Sequence, residues 1–183
     1  IFWNFTKDKK QTLAGLFHDI STPVFKHCID YMNKDYDKQE STEELTRKII
    51  SESKEIMSLL KRDNISIDEV CNYHIYPIAD NDTPQLSADR LEYTLSNGLG
   101  VRKKLWDLKQ VEKIYKNIEI QKNEDGIEEL GFKNKEIAKE FVHIIGILSP
   151  VYRDAKTNFS MQFLADIMEK MSRKNLKQNH IYT

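Results

Sequence analysis

Few side chains in this sequence combine donor chemistry with a setting that holds them together. The densest group is His18-Asp19, which follows the apolar stretch Leu13-Ala14-Gly15-Leu16-Phe17. An imidazole nitrogen and a carboxylate oxygen suit a borderline or hard divalent cation, and neighbouring positions of a helix can turn toward one centre. The doublet equally suits a plain helix C-terminus, where a histidine meets the carbonyl end of the dipole. A two-residue motif is short enough to arise by chance, so its meaning rests on what accompanies it. The companion is Leu86 to Asn97. There Leu91 and Leu95 mark one helical face, while Asp89, Tyr93 and Asn97, four residues apart, line an adjoining stripe. A carboxylate and a phenol on one stripe suit a site better than a solvated face.

Together, the doublet in HDISTPVFKH and Asp89 in ADRLEYTL resemble the HD-domain phosphohydrolase superfamily, and within it the deoxynucleotide triphosphohydrolase-like branch. The resemblance spans about the first hundred residues. It implies an all-α fold, here a single HD-type helical bundle over residues 1–183, with metal ligands at His18, Asp19 and Asp89. The ion is a divalent metal, with Mn, Fe, Mg, Co, Ni and Zn not distinguished. Arg90 and Tyr93 fall on the family's basic residue and tyrosine after the later aspartate, which implies contacts to phosphate or sugar. From the residues alone, a surface ion pair for Arg90 and buried packing for Tyr93 remain equal alternatives. His27 keeps the last histidine of the branch's HDxGHxPxxH pattern and is expected to protonate a leaving group or bond phosphate. Two further histidines of that branch are replaced, by Thr22 and by Gln39, which can hydrogen-bond a phosphate but cannot act as acids at neutral pH. The family's first metal histidine lies upstream of the doublet, and none of the 17 residues before His18 is a histidine. Since the chain opens on Ile1, it reads as an N-terminally truncated fragment, with truncation at the C-terminal end as a secondary reading.

The expected activity is hydrolysis of a nucleotide or related phosphate ester by a metal-activated water, with Asp19 and His27 as the catalytic groups. The alternative is a catalytically degenerate HD domain that binds a nucleotide or partner as a regulator, which the exchanges at Thr22 and Gln39 motivate. A third reading is an interaction domain that uses the C-terminal helices.

Length and composition set the frame. A chain of 183 residues is within single-domain range and can bury a sizeable core. Hydrophobic residues at 39% and charged ones at 31% describe a globule with a charged surface rather than a disordered segment. A net charge of -1 gives no global field for nucleic acid, and the clusters Arg102-Lys103-Lys104 and Arg173-Lys174 read as solvated faces. Two cysteines, Cys28 and Cys71, exclude a disulfide framework and read as small core residues of a reducing, cytoplasmic compartment. No apolar run approaches the roughly 20 residues needed to span a bilayer.

The elements that must position the site follow from spacing. Ile1 to Phe5 reads as a helical tail packed on the core, and Thr6 as the N-cap of the helix reaching His18. Pro23 is expected to open the next helix, with Phe25, Ile29 and Met32 inward and His27 on another side. Ser41 to Glu44 signals a helix start, and one helix is expected through Leu45, Ile49, Ile50, Ile56, Leu59 and Leu60. Ser66 and Glu69 form a capping box, Tyr73 to Pro84 is irregular, and the Asp89 helix is expected to stop at Asn97 to Gly100. Ile118-Glu119-Ile120-Gln121, a turn at Glu124-Asp125-Gly126 and Ile127 to Phe132 predict a short β-hairpin over 118–132. Helix returns from Lys133 to Pro150, with His143 expected as a satisfied core histidine, and again from about Thr157 to Ser172. Phe159, Phe163, Ile167 and Met171 recur every four residues there, which predicts core or a homo-oligomer interface.

Overall fold

The computed structural model describes residues 1–36, 43–82, 84–100 and 105–172. Gln39, Ser41, Thr42, Arg102-Lys103-Lys104, Arg173-Lys174 and His180 lie outside the described residues. The described chain is mostly helical, with one two-stranded antiparallel hairpin among the described residues. It divides into two compact units that interleave in sequence: unit 1 is Ile1–Gly15 with Tyr73–Tyr152, and unit 2 is Leu16–Asn72 with Arg153–Thr183.

Unit 1 is built around α6 (Ala88–Gly100), α7 (Leu108–Lys116), the strands β1 (Ile118–Lys122) and β2 (Glu128–Phe132), and α8 (Lys135–Tyr152). Apolar periodicity buries Leu91 and Leu95 of α6, Ile114 of α7, Ile118 and Leu130 of the hairpin and Phe141 of α8 in one cluster with Trp106. The hairpin pairs Ile118 with Phe132 and Lys122 with Glu128, and Gly126 takes the positive φ of 76° that its turn needs. At the start of the chain α1 (Phe2–Thr6) lays Ile1, Phe2 and Phe5 against this core. The following α2 (Lys9–Phe17) is not capped by Thr6, whose hydroxyl turns back to the Phe2 carbonyl at 3.0 Å. Asp8 takes that role, its Oδ1 accepting from the Lys10 and Gln11 amides at 2.7 and 3.4 Å.

Helix α6 also differs from expectation, because it runs through Asn97 and Gly98 to Gly100 instead of stopping there. Gly98 is buried, and a Cβ at that position would fall on the Trp106 indole. The glycine therefore serves close approach rather than a left-handed cap. Trp106 completes the fit by donating Nε1–H to the Leu95 carbonyl at 3.0 Å. His143 is exposed on α8, which corrects the core assignment.

Unit 2 contains α3 (Lys26–Met32), α4 (Thr46–Glu52), α5 (Lys54–Arg62) and α9 (Ala155–Ser172). Pro23 does not open α3: it sits in the preceding turn, and Phe25, at φ 66° and 59% exposed, lies outside the helix. The inward face of α3 is Cys28, Ile29 and Asp30, and His27 is exposed on another side. The single helix expected through Leu60 is two, broken at Ser53, whose extended backbone and side chain cap α5 by accepting from the Ile56 amide at 3.3 Å. Ser66 and Glu69 do form a capping box, on a 3-10 turn at Ile67–Glu69. Helix α9 packs against α3. Its inward positions are Met161, Leu164, Ala165 and Met168, spaced as a helix face. The stripe Phe159, Phe163, Ile167 and Met171 is not core, since Phe159 is 71% and Phe163 57% exposed.

Candidate functional site

In unit 2 the doublet emerges where the sequence places it. Helix α2 ends at Phe17, and the chain turns through Ile20 to Thr22, with the Ile20 amide donating to the Phe17 carbonyl and the Thr22 amide to the Asp19 carbonyl, both at 3.0 Å. His18 Nε2 lies 3.2 Å from Asp19 Oδ2, and the Thr22 hydroxyl donates to Asp19 Oδ1 at 2.8 Å. The hydrogen bond from His18 holds the Asp19 carboxyl well below the usual carboxylate range; partial burial opposes this, and Thr22 and the Lys26 charge add to it. A nitrogen donor and an ionised oxygen donor thus stand side by side at a helix end. On the next helix His27 Nδ1 is 3.8 Å from the buried Asp30 carboxylate, beyond hydrogen-bond reach.

The lowered Asp19 pKa carries a pH dependence. Because folding favours the ionised form, the stabilisation is fully present above the unfolded carboxylate pKa of about 4 and is lost as pH falls through the lower folded value. In protein freed of metal by chelation, the stability gap between the parent and Asp19→Asn is expected to be widest near neutrality and to close on acidification below about pH 4. Denaturation curves across pH check this, and a gap that stays constant into acid would rule it out.

In unit 1 the predicted stripe forms on α6. The buried Ser87 starts the helix, its hydroxyl accepting from the Arg90 amide at 3.2 Å. Asp89 follows in the first turn, and its amide faces the Ala79 carbonyl at 3.4 Å. Tyr93 is 39% exposed and meets Tyr152 of α8 edge to face at 6.4 Å, and the Asn97 amide donates to the Tyr152 hydroxyl at 2.7 Å. Burial pushes the Tyr93 phenol up, with the Arg90 charge opposing and the Asp89 and Asp80 charges adding.

Arg90 turns into its own loop. Its Nη1 donates to Asn81 Oδ1 and to the Gln85 carbonyl, both at 2.6 Å, and its Nη2 reaches Asp80 Oδ1 at 3.4 Å and the Asn81 carbonyl. The fork closes the connection between Asp80 and α6. Sequence reasoning missed His74, Asp80 and Tyr152. His74 Nδ1, on the 3-10 turn Tyr73–Ile75, is 2.8 Å from Asp80 Oδ2 in the irregular segment that follows, a pairing that no periodicity announces. The Pro and Asn-Asp content of the loop was the only pointer to it.

The doublet's donor chemistry fits a divalent cation, one nitrogen and one oxygen 3.2 Å apart. Among the described residues no group of three His, Cys, Asp or Glu side chains is gathered to hold a metal ion. Among the same residues no helix is long and apolar enough to cross a membrane. Comparison with models of known families, with curated proteins and with solved structures finds no match.

Proposed function

We propose that the chain is a divalent-metal-dependent phosphohydrolase acting on a nucleotide or related phosphate ester. The observation that carries this reading is the doublet itself. His18 and Asp19 present nitrogen and oxygen side by side on a turn closed by Thr22, and Asp19 is held ionised there, the form in which a carboxylate ligates a cation. On this reading His18 and Asp19 hold the ion, and Asp89 is the ligand that the resemblance of the sequence adds. When bound, such an ion polarises a phosphoryl oxygen and lowers the pKa of a water. The chain's own part is to orient the ester and manage its protons. Tyr93, on the same stripe as Asp89, is the hydroxyl this reading gives to phosphate or sugar, and His27, exposed on α3, is the imidazole it gives to phosphate or the leaving group. The free thiols Cys28 and Cys71 suit a cytoplasmic setting.

A second reading, a regulator that binds its ligand without turnover, is favoured by Thr22. Its hydroxyl is spent on Asp19, and it supplies no acid where the resembling branch has a histidine.

Elemental analysis and phosphate release separate the two. The purified chain, reconstituted with Mn²⁺ and dialysed, is expected to retain stoichiometric metal, and Asp19→Ala and Asp89→Ala are each expected to lose it. Retained metal with phosphate released from a panel of esters supports the hydrolase; retained metal with nucleotide binding and no release supports the regulator. No metal in the parent would overturn both ligand assignments.

A further inference from the structure

Unit 2 carries a cleft that the function proposed above does not use, built entirely within residues 54–69. Helix α5 ends on a left-handed residue, Asn64 at φ 55°, with the Asn64 amide donating to the Lys61 carbonyl at 3.2 Å and the Ile65 amide to the Leu60 carbonyl at 2.9 Å. This pair of bonds closes a helix C-terminus and folds the next residue back onto the last turn. The capping box of Ser66 and Glu69 then fixes the turn that follows. Between the helix and the returning chain lies an open cleft of about 700 Å³, with Met57, Leu60, Ile65 and Ile67 along it. Leu60 and Ile65 are buried, so this apolar floor is recessed rather than protruding. Lys54 and Lys61, seven positions apart, stand two turns from each other on the same lining, roughly 10 Å along the axis of α5. Neither ammonium has a hydrogen bond or ion pair among the described residues, whereas Arg47, Lys48 and Arg62 of the same region are each paired with a carboxylate. Glu69, the acid on the lining, has its carboxylate turned back to the Ser66 amide and hydroxyl at 2.9 and 3.2 Å.

The occupant that complements such a surface is acidic and amphipathic. Two cations at the ends of an apolar floor match two carboxylates about two helical turns apart with an apolar side chain between them. No aromatic or arginine side chain lines the cleft, so a nucleobase has nothing to stack on, and a recessed floor offers a bilayer no apolar surface to insert. No strand borders it among the described residues, which leaves a helix laid along α5 as the mode of docking. We propose that this cleft docks an acidic amphipathic helix of a partner protein, independently of the phosphohydrolase reading. Lys54 and Lys61 pair with the partner's carboxylates, and the floor takes its apolar side chains.

The test titrates the full chain with a short alanine-based helical peptide that carries glutamates seven positions apart and leucines three and four positions after the first of them. Amide chemical shifts are expected to move within residues 54–69 and little elsewhere. Exchanging both glutamates for glutamine, or both leucines for serine, is expected to weaken binding by about tenfold, and added salt should weaken it as well. Combining Lys54→Glu with Lys61→Glu is expected to lose the acidic peptide by a similar factor and to gain the peptide with lysines in place of its glutamates, a reversal that a general loss of structure would not produce. No binding of the acidic peptide by the parent, binding indifferent to its glutamates, or shifts that fall outside the cleft would overturn the proposal. Shifts in the cleft caused by inorganic phosphate or by phosphatidylserine vesicles, and not by the peptide, would assign the lysines to a free phosphate or a lipid headgroup and overturn it too.

Discussion

Replacing Phe141 by alanine is expected to remove about 3–5 kcal/mol of stability, which is a large part of the roughly 5–15 kcal/mol that holds a typical domain folded. Phe141 is 2% exposed and lies where three elements of unit 1 meet. Its ring stacks on Trp106 with centroids 6.0 Å apart and planes 12° from parallel, and it tilts against Phe132 of β2 at 5.2 Å. Removing the ring forfeits its burial and leaves a cavity walled by an indole that cannot follow. Trp106 is fixed by its bond to the Leu95 carbonyl and by the close pass of Gly98, so collapse into the void would break both. That restraint places the cost at the upper end of the large-to-small range, where the surroundings relax least. Denaturant titration followed by Trp106 fluorescence measures it, with Phe141→Leu expected to recover more than half of the loss. A cost below about 1 kcal/mol would mean that the cluster repacks freely and that Trp106 does not pin it.

The features legible in the sequence were those written locally. The hairpin over 118–132 was readable because alternation and an Asp-Gly turn are short-range signals. The doublet at the end of α2 and the Asp89 stripe on α6 were readable because a run of apolar residues and a four-residue spacing each fix a place on a helix. The misreadings share one cause, which is that a residue's local preference was overruled by a partner distant in sequence or by a competing neighbour. Gly98 has the composition of a helix stop, yet the helix continues because Trp106, eight positions on, needs the missing Cβ. Thr6 has the composition of a cap, yet its hydroxyl is taken by the Phe2 carbonyl and Asp8 caps instead. The Phe159 stripe has the period of a core face, yet α9 turns Leu164 and Ala165 inward and leaves the stripe exposed. In the candidate site the same rule separates Asp89 from His74. Asp89 is placed by its own helix, whereas His74 meets Asp80 only because an irregular loop folds back.

The second large effect is expected at Arg90, and it decides between the two roles the sequence allows this residue. If the guanidinium exists to hold the loop, then Arg90→Ala and Arg90→Lys should both loosen the segment before α6 in the absence of any ligand, at a cost of about 1.5–3 kcal/mol. Lysine is an informative replacement because it keeps the charge and loses the shape. Arg90 spans Asn81, Gln85 and Asp80 with two nitrogens of one plane, and a single ammonium cannot reach all three. The side chain is only 22% exposed, so water replaces the lost bonds poorly. Hydrogen exchange at the Ala88 and Asp89 amides, which bond Ile78 and Ala79 across the same closure, should accelerate in both variants. Exchange that stays at parental rates in Arg90→Lys, together with weakened phosphate binding, would return the arginine to the anion role. With Arg90 removed, Asp80 keeps His74 but loses the guanidinium at its other oxygen, so the His74–Asp80 contact should loosen in the same variants that loosen the loop.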